Sequence, residues 1–296
     1  MAIGVETRTI QTPDGRDLCL ELGGDEDGFP VFVNGGTPNS RHMYEPWLAD
    51  ASRRGIRLIS YDRPGYGGSS ATAGRSVADG AVDVLAITKA LGIERLAMWG
   101  YSGGGPFTLG CAALLPETVV AAATLGSVAP YGPEDLDYFA GMGDDNVDGI
   151  KLYLDDPEAS RKRGAKEREE MLQSTPEQVA EVLKTLLTPV DAAVLTGSFA
   201  VFMSECSHDG LAPGLDGWWD DGVAHMEPWG FDLDSIRVPV KIWHGRHDRF
   251  VPFQHGEWLA KHVHGAEAEL SEEDGHLTLL VNRVGEVHDW LLRAAG

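Results

Sequence analysis

Cysteine is scarce in this chain, basic charge is outnumbered, and long apolar runs are missing. Only three cysteines occur in 296 residues, Cys19, Cys111 and Cys206, widely spaced and with no CxxC pair. An odd number at such spacings excludes a disulfide framework and a zinc knuckle. They are expected to be small core residues, and a reducing compartment, the cytoplasm, is the expected home. The longest near-continuous apolar stretch, Val119–Leu125, is seven residues, whereas a spanning helix needs about twenty. The opening MAIGVETRTI has neither a basic start nor an apolar centre, so no leader is expected. Lysine and arginine number 24 against 46 acidic residues, a net charge of −22. Such a surface repels phosphate backbones and anionic lipid, so neither a nucleic acid nor a membrane is expected as partner. No HExxH or clustered His/Cys spacing suggests a metal. Gly65-Tyr66-Gly67-Gly68 lacks the GK[ST] ending of a phosphate loop. The expectation is a chain without metal or cofactor that meets a small-molecule substrate; no signal bears on oligomeric state.

What is present is alternation. Apolar residues make up 43% and charged residues 24%, as in soluble globular domains. Glu6–Thr12 and Asp17–Leu22 flank the turn Pro13-Asp14-Gly15 and predict a hairpin. Strands are predicted at Pro30–Asn34, Ile56–Tyr61, Leu96–Gly100 and Val119–Leu125. Helices are predicted between them, at about Arg41–Arg54, after Ser76-Val77-Ala78-Asp79 with Val82, Leu85, Ala86 and Ile87 on one face, and at Gly103–Leu115. Short apolar runs separated by amphipathic helices imply βαβ units, hence a parallel sheet covered on both faces. The alternation stops after Ser127 and resumes at Val238, with strands at Pro239–Trp243 and Ala266–Leu270 and helices at Phe253–His264 and about Leu277–Arg293. The expected organisation is an α/β core of residues 1–129 and 231–296, interrupted by a mainly helical segment, 130–230. That segment holds a helix start at Thr175-Pro176-Glu177-Gln178. It also holds a basic cluster at 161–168, which reads as a solvated helix face.

The sharpest chemical signal is Gly100-Tyr101-Ser102-Gly103-Gly104, a G-x-S-x-G pentapeptide between a predicted strand and a predicted helix. That context makes it a nucleophile elbow. The serine sits on a tight turn that lifts its hydroxyl clear of the sheet, and the flanking glycines leave room for the turn. The Gly103 N–H then lies at a helix N-terminus, where it can stabilise an oxyanion. A serine hydroxyl needs a base, and the base an orienting acid. Asp248 lies just past the strand Pro239–Trp243, and His276 follows the next strand, 28 residues further on. The order Ser, Asp, His along the chain fits an elbow serine in an open α/β sheet, whose sites form at the carboxyl ends of the strands. A second oxyanion donor is expected in Asn34-Gly35-Gly36-Thr37-Pro38, and by position it is the N–H of Gly36.

Together Gly100–Gly104, Asp62-Arg63-Pro64-Gly65-Tyr66-Gly67-Gly68-Ser69, Asp248 with Val251-Pro252, and Asp274-Gly275-His276 resemble the α/β-hydrolase fold superfamily over essentially the whole chain. The resemblance implies an eight-stranded, mostly parallel sheet with the second strand antiparallel, helices on both faces, and a lid inserted after the sixth strand. It implies a cofactor-free serine hydrolase with Ser102 as nucleophile, His276 as base and Asp248 as orienting acid. The favoured substrate is a small to medium carboxylic ester. Asn34-Gly35-Gly36-Thr37-Pro38 partly resembles the His-Gly-Gly-Pro-Gly of proline iminopeptidases, without its histidine. An amidase or aminopeptidase of that kind would need lid carboxylates for a substrate ammonium, with Glu205 and Asp209 as candidates. A ligand-binding receptor that kept the fold is a third reading, and an intact triad argues against it. Trp218, Trp219 and Trp229 in the insertion are expected to line an apolar pocket above Ser102.

Overall fold

The apolar runs of the sequence become the strands of one sheet. A computed structural model describes residues 4–296; Met1–Ile3, the start of the segment read above for a leader, lie outside the described residues. The first half of the core runs β1 (Glu6–Gln11), β2 (Asp17–Gly24), β3 (Phe29–Asn34), α1 (Glu45–Arg53), β4 (Ile56–Tyr61), α2 (Asp79–Leu91), β5 (Leu96–Tyr101), α3 (Gly104–Leu114) and β6 (Val119–Leu125). An all-helical stretch follows among the described residues: α4 (Asp144–Asp155), α5 (Pro157–Gln173), α6 (Val179–Val182), α7 (Pro189–Val194), α8 (Gly197–Leu211) and α9 (Asp216–Met226). The core then closes with β7 (Val240–Gly245), α10 (Phe253–His262), β8 (Glu267–Ser271), α11 (His276–Asn282) and α12 (Val284–Ala295).

The eight strands lie in the order β1-β2-β4-β3-β5-β6-β7-β8. β2 runs antiparallel to β1 and β4, and every other pairing is parallel. The central strand β5 is buried at all six positions, as a parallel strand covered on both faces must be. One face packs Phe32, Met98 and Phe107 with α2 and α3. The other packs Trp47, Trp99 and Trp290 with α1 and α12. Both faces are closed, so the carboxyl ends of β3, β5, β6, β7 and β8 are left to carry loops.

Several local expectations are corrected. α1 starts at Glu45 rather than near Arg41. The Arg41 amide is committed to Asp62 (2.6 Å) and the Met43 amide to Glu21 (2.9 Å), which holds this stretch out of the helix. On α2 the core face is Ala81, Val84 and Ile87, while Val82 is 58% exposed. The single C-terminal helix is two helices that meet at Arg283, whose side chain bonds Asp274 at 2.8 Å. The helix start at Thr175 opens only a 3-10 turn and the short α6, although Gln178 does accept the Thr175 amide at 2.9 Å. The basic cluster lies on α5 and is spent largely on pairs one turn away, Lys162 with Glu158 and Arg163 with Glu167, both 2.6 Å. Among the described residues no helix is long and apolar enough to cross a membrane, and no three His, Cys, Asp or Glu side chains gather as a metal site would require.

Candidate active site

Ser102 sits in the turn between β5 and α3 with φ of 52°, the one positive φ at a non-glycine residue among the described residues. A side chain in that region is strained and persists only where its surroundings hold it. They do: the Ser102 amide donates to Leu125 O on β6 (2.9 Å), and the Ser102 carbonyl accepts from Gly105 (3.0 Å). The flanking glycines are required by close approach. A Cβ at Gly100 would lie 2.6 Å from Gly104 O, and one at Gly104 would lie 2.2 Å from Asn34 O.

His276 opens α11, and its Nδ1 is 2.6 Å from Asp248 Oδ2. A carboxylate can only accept, so Nδ1 carries the proton and Nε2 is left with a free lone pair. The other Asp248 oxygen accepts the Val251 amide at 2.8 Å, which fixes the carboxylate. Phe250 stacks on the imidazole at 4.7 Å. Burial alone would lower the His276 pKa, but the Asp248 carboxylate outweighs it and the net shift is upward from 6.5. Gly126, with φ of 56°, passes beneath this pair. A Cβ there would come within 2.8 Å of His276 Nδ1 and 3.0 Å of Asp248.

Gly36 and Gly103 close in on the serine from the other side. A Cβ on Gly36 would sit 3.3 Å from Ser102 Cβ, and Gly103 is the N-cap of α3. What holds the Gly36 loop is Arg63, from the segment after β4. Its guanidinium donates to Gly35 O (2.6 Å), Gly36 O (2.5 Å) and Thr37 Oγ1 (3.0 Å). It also pairs with Asp221 of α9 at 2.5 Å. Asp221 takes Arg75 (2.8 Å) and the Tyr66 hydroxyl (3.0 Å) as well. Burial would raise the Asp221 pKa, but the two arginines overcome it and hold the carboxyl well below its usual range. On the same helix, burial pushes His225 down to about 4, so it is neutral. Its Nε2 then donates to Gly103 O at 2.9 Å.

A second carboxylate of the helical segment holds the histidine. Asp191, on α7, is fully buried and accepts three backbone amides at the start of α11: His276 (2.9 Å), Leu277 (2.7 Å) and Thr278 (3.1 Å). Burial raises its pKa, partly offset by His276 and those amides. A third tie is His42, which lies 2.8 Å from Glu21 on β2 and 2.6 Å from Asp209 on α8. Those hydrogen bonds raise it to about 9. No motif singles out Asp191, Asp221 or His225. Arg63 alone had a signal, its place in Asp62-Arg63-Pro64-Gly65.

Two cavities meet at Ser102. The larger, about 340 Å³, is lined by Gly103, Val128 and residues of α4, α5 and α9, including Trp218 and Trp219. The smaller, about 110 Å³, is lined by Gly36, Tyr101, His276, Leu280 and Met203. Trp229 corrects the expectation of three pocket tryptophans. It is buried in the main core, where it stacks on Phe231 at 5.8 Å and its carbonyl accepts the Ala78 amide. The reason is its position: it lies beyond α9, where the chain has already returned to the α2 side of the sheet. Glu205 and Asp209 line neither cavity.

The sequence matches the alpha/beta hydrolase fold family over residues 30–282. It is 28% identical over 261 residues to a non-heme chloroperoxidase of Streptomyces lividans, with 83% of each chain covered. It is 26% identical over 248 residues to a bifunctional esterase/perhydrolase of Acinetobacter calcoaceticus, again with 83% of each covered. In fold it is similar to a thermophilic esterase from Thermogutta terrifontis, with a TM-score of 0.71 at 18% identity, covering 98% of this chain and 100% of that one. With the strand order, the elbow turn and the match across most of its length, the chain belongs to the α/β-hydrolase fold family.

Proposed function

We propose that the protein is a serine hydrolase that cleaves small to medium carboxylic esters through an acyl-enzyme, its helical segment, residues 130–230, acting as a lid over the site. Ser102 Oγ attacks the ester carbonyl as its proton passes to His276 Nε2, and Asp248 holds the imidazole and stabilises its charge. The N–H groups of Gly36 and Gly103 receive the oxyanion. The Ser102–acyl bond forms and the acyl–alkoxide bond breaks; the alkoxide takes the proton from His276 and leaves as alcohol. Water, deprotonated by the same histidine, then releases the acid. The observation that carries this reading is the strained Ser102 turn opening on a cavity that also holds His276, whose Nδ1 is bound to a buried carboxylate.

An ester is favoured over an amide because the carboxylates offered for an ammonium, Glu205 and Asp209, reach neither cavity, and of the two that line the larger one Glu167 is paired with Arg163 and Asp145 accepts from Thr185. The relatives named esterase support the same choice. The widely spaced cysteines support work in the cytoplasm. The test is Ser102→Ala assayed with p-nitrophenyl acetate. The expected loss in kcat is on the order of 10⁶, and an organophosphonate should label Ser102 alone. An unchanged rate in the variant would remove the assignment. The same acyl-enzyme given hydrogen peroxide in place of water yields a peracid and free serine, the second activity in the name of the Acinetobacter relative. Ester assays with added peroxide, read by peracid oxidation of a halide, test that branch.

A further inference from the structure

The two cavities at Ser102 differ threefold in volume, and different groups around the serine face each of them. Both are bounded by Thr37, Pro38, Ser102, Met171, Leu183 and Phe250, so the five side chains around Ser102 form the partition between them. Beyond the partition they share little of the machinery. His276 and Gly36 face only the smaller cavity, of about 110 Å³, and Gly103 faces only the larger, of about 340 Å³.

Acyl transfer gives these two spaces different tenants. Once Ser102 Oγ has bonded to the carbonyl carbon, the group that departs is the one His276 can protonate. The leaving oxygen must therefore lie on the His276 side, and the chain attached to it must fit the smaller cavity. The acyl chain, bonded to the same carbon, points the other way, over Gly103. There it enters a space walled mainly by apolar side chains such as Val128, Met142, Ile150 and Trp219, in which Arg163 and Glu167 are paired with each other and Asp145 accepts from Thr185. Burying a hydrocarbon chain in such a space is favourable in proportion to its area. On the other side Leu280, Tyr101 and the stacked Phe250–His276 pair stop a leaving group after a few atoms. Resting on the serine-hydrolase reading above, we infer that the substrates are esters of a medium-length apolar acid with a short alcohol. A long alcohol on a short acid is the wrong way round for this site.

Ethyl octanoate and octyl acetate test this directly, because they are isomers of equal size and nearly equal hydrophobicity that differ only in the side carrying the chain. The wild-type protein should show a kcat/KM for ethyl octanoate about tenfold to two-hundredfold above that for octyl acetate, the range set by hydrophobic discrimination between pockets. Equal rates, or octyl acetate ahead, overturn the inference. A variant that narrows the larger cavity gives a second test. Gly149 lies on α4 in its wall, and a Cβ there meets nothing within 4 Å. Gly149→Leu should reduce the ratio of ethyl octanoate to ethyl acetate turnover by about tenfold or more on the same scale. An unmoved ratio also counts against the acyl chain lying there. p-Nitrophenyl acetate separates the two levels of failure. If its Ser102-dependent turnover is absent, the hydrolase reading falls and the inference with it; if it is present while octyl acetate wins, only the assignment of the two cavities falls.

Discussion

Asp191 and Asp221 are both fully buried, both belong to the helical segment, and each holds one half of the site by opposite electrostatics. Asp221 faces two arginines and through Arg63 fixes the carbonyls of Gly35 and Gly36. Asp191 faces no arginine or lysine in its hydrogen bonds; it is held by three backbone amides at the start of α11. Their pKa shifts follow: that of Asp221 is lowered and that of Asp191 raised. An ion pair taken from water is compensated only while both partners remain, whereas a carboxylate held by amides can lose its charge and keep its bonds. The Gly35–Gly36 side of the site therefore depends on charge, and the histidine side on geometry with one extra negative charge nearby.

The largest effect should come from breaking the charged half. Asp221→Ala leaves Arg63 and Arg75 buried and unpaired, and is expected to cost about 3–5 kcal/mol. Urea unfolding would read this, and a midpoint close to wild type would refute the account of Asp221 as the centre of that network. On the other half, Asp191→Ala orphans buried amides and should cost about 1–3 kcal/mol. Asp191→Asn keeps one acceptor oxygen and replaces the other with an NH2 that cannot accept an amide, so it removes the charge together with at least one of the three bonds. Its signature is in the pH profile. A carboxylate beside His276 favours the protonated imidazole, so its removal lowers the His276 pKa.

In the wild type that pKa lies above 6.5, and hydrolysis should fall with an acid limb inflecting above 6.5 as the base becomes protonated. In Asp191→Asn the limb should move to lower pH; a limb that stays put, or moves up, contradicts the charge argument. The smallest effect belongs to His42, which ties β2 to α8. Its pKa is raised to about 9 when folded, so its contribution is full below 6.5 and is lost as pH rises through 9. It is partly exposed, and the effect should be on the order of 1 kcal/mol or less. Thermal melts at pH 6.5 and pH 9.5 on wild type and His42→Gln would show it as a smaller alkaline loss in the variant.

The core was legible because its physics is local. Buried parallel strands must be short apolar runs, and Ile56–Tyr61 and Val119–Leu125 begin and end where the sequence places them. The tight turn at Ser102 and the meeting of Asp248 with His276 were legible because each follows such a run, and a hydrogen bond joins the last two. The helical character of residues 130–230 was legible too, but the contacts of its side chains were not, since those helices answer to surfaces far away in the chain. Asp191 is the clearest case. Behind Thr188-Pro189 it looks like an acidic residue of its own helix's first turn, and Thr188 does accept its amide. Its carboxylate serves instead the N-terminus of a helix 85 residues later. Val82 misled for a related reason: α2 turns its face by the packing of Phe107 against Gly80, and residue spacing within one helix does not contain that neighbour. Trp229 was placed at the pocket with the other tryptophans of the insertion, although three residues beyond α9 suffice to carry it back to the core.

The bond between Asp191 and the start of α11 also sets how the protein should fail. His276 is seated on an element made from the loosely framed part of the chain, where α6 is four residues long and α7 is six. The sheet beneath is closed on both faces and draws little from those helices. Local opening is expected first where few buried contacts hold an element. Under mild heat or denaturant, α7 should detach while the eight strands are still intact, and the imidazole loses its seat at that moment. Inactivation would then run ahead of melting, so that a residual-activity curve and a circular dichroism curve separate along the temperature axis.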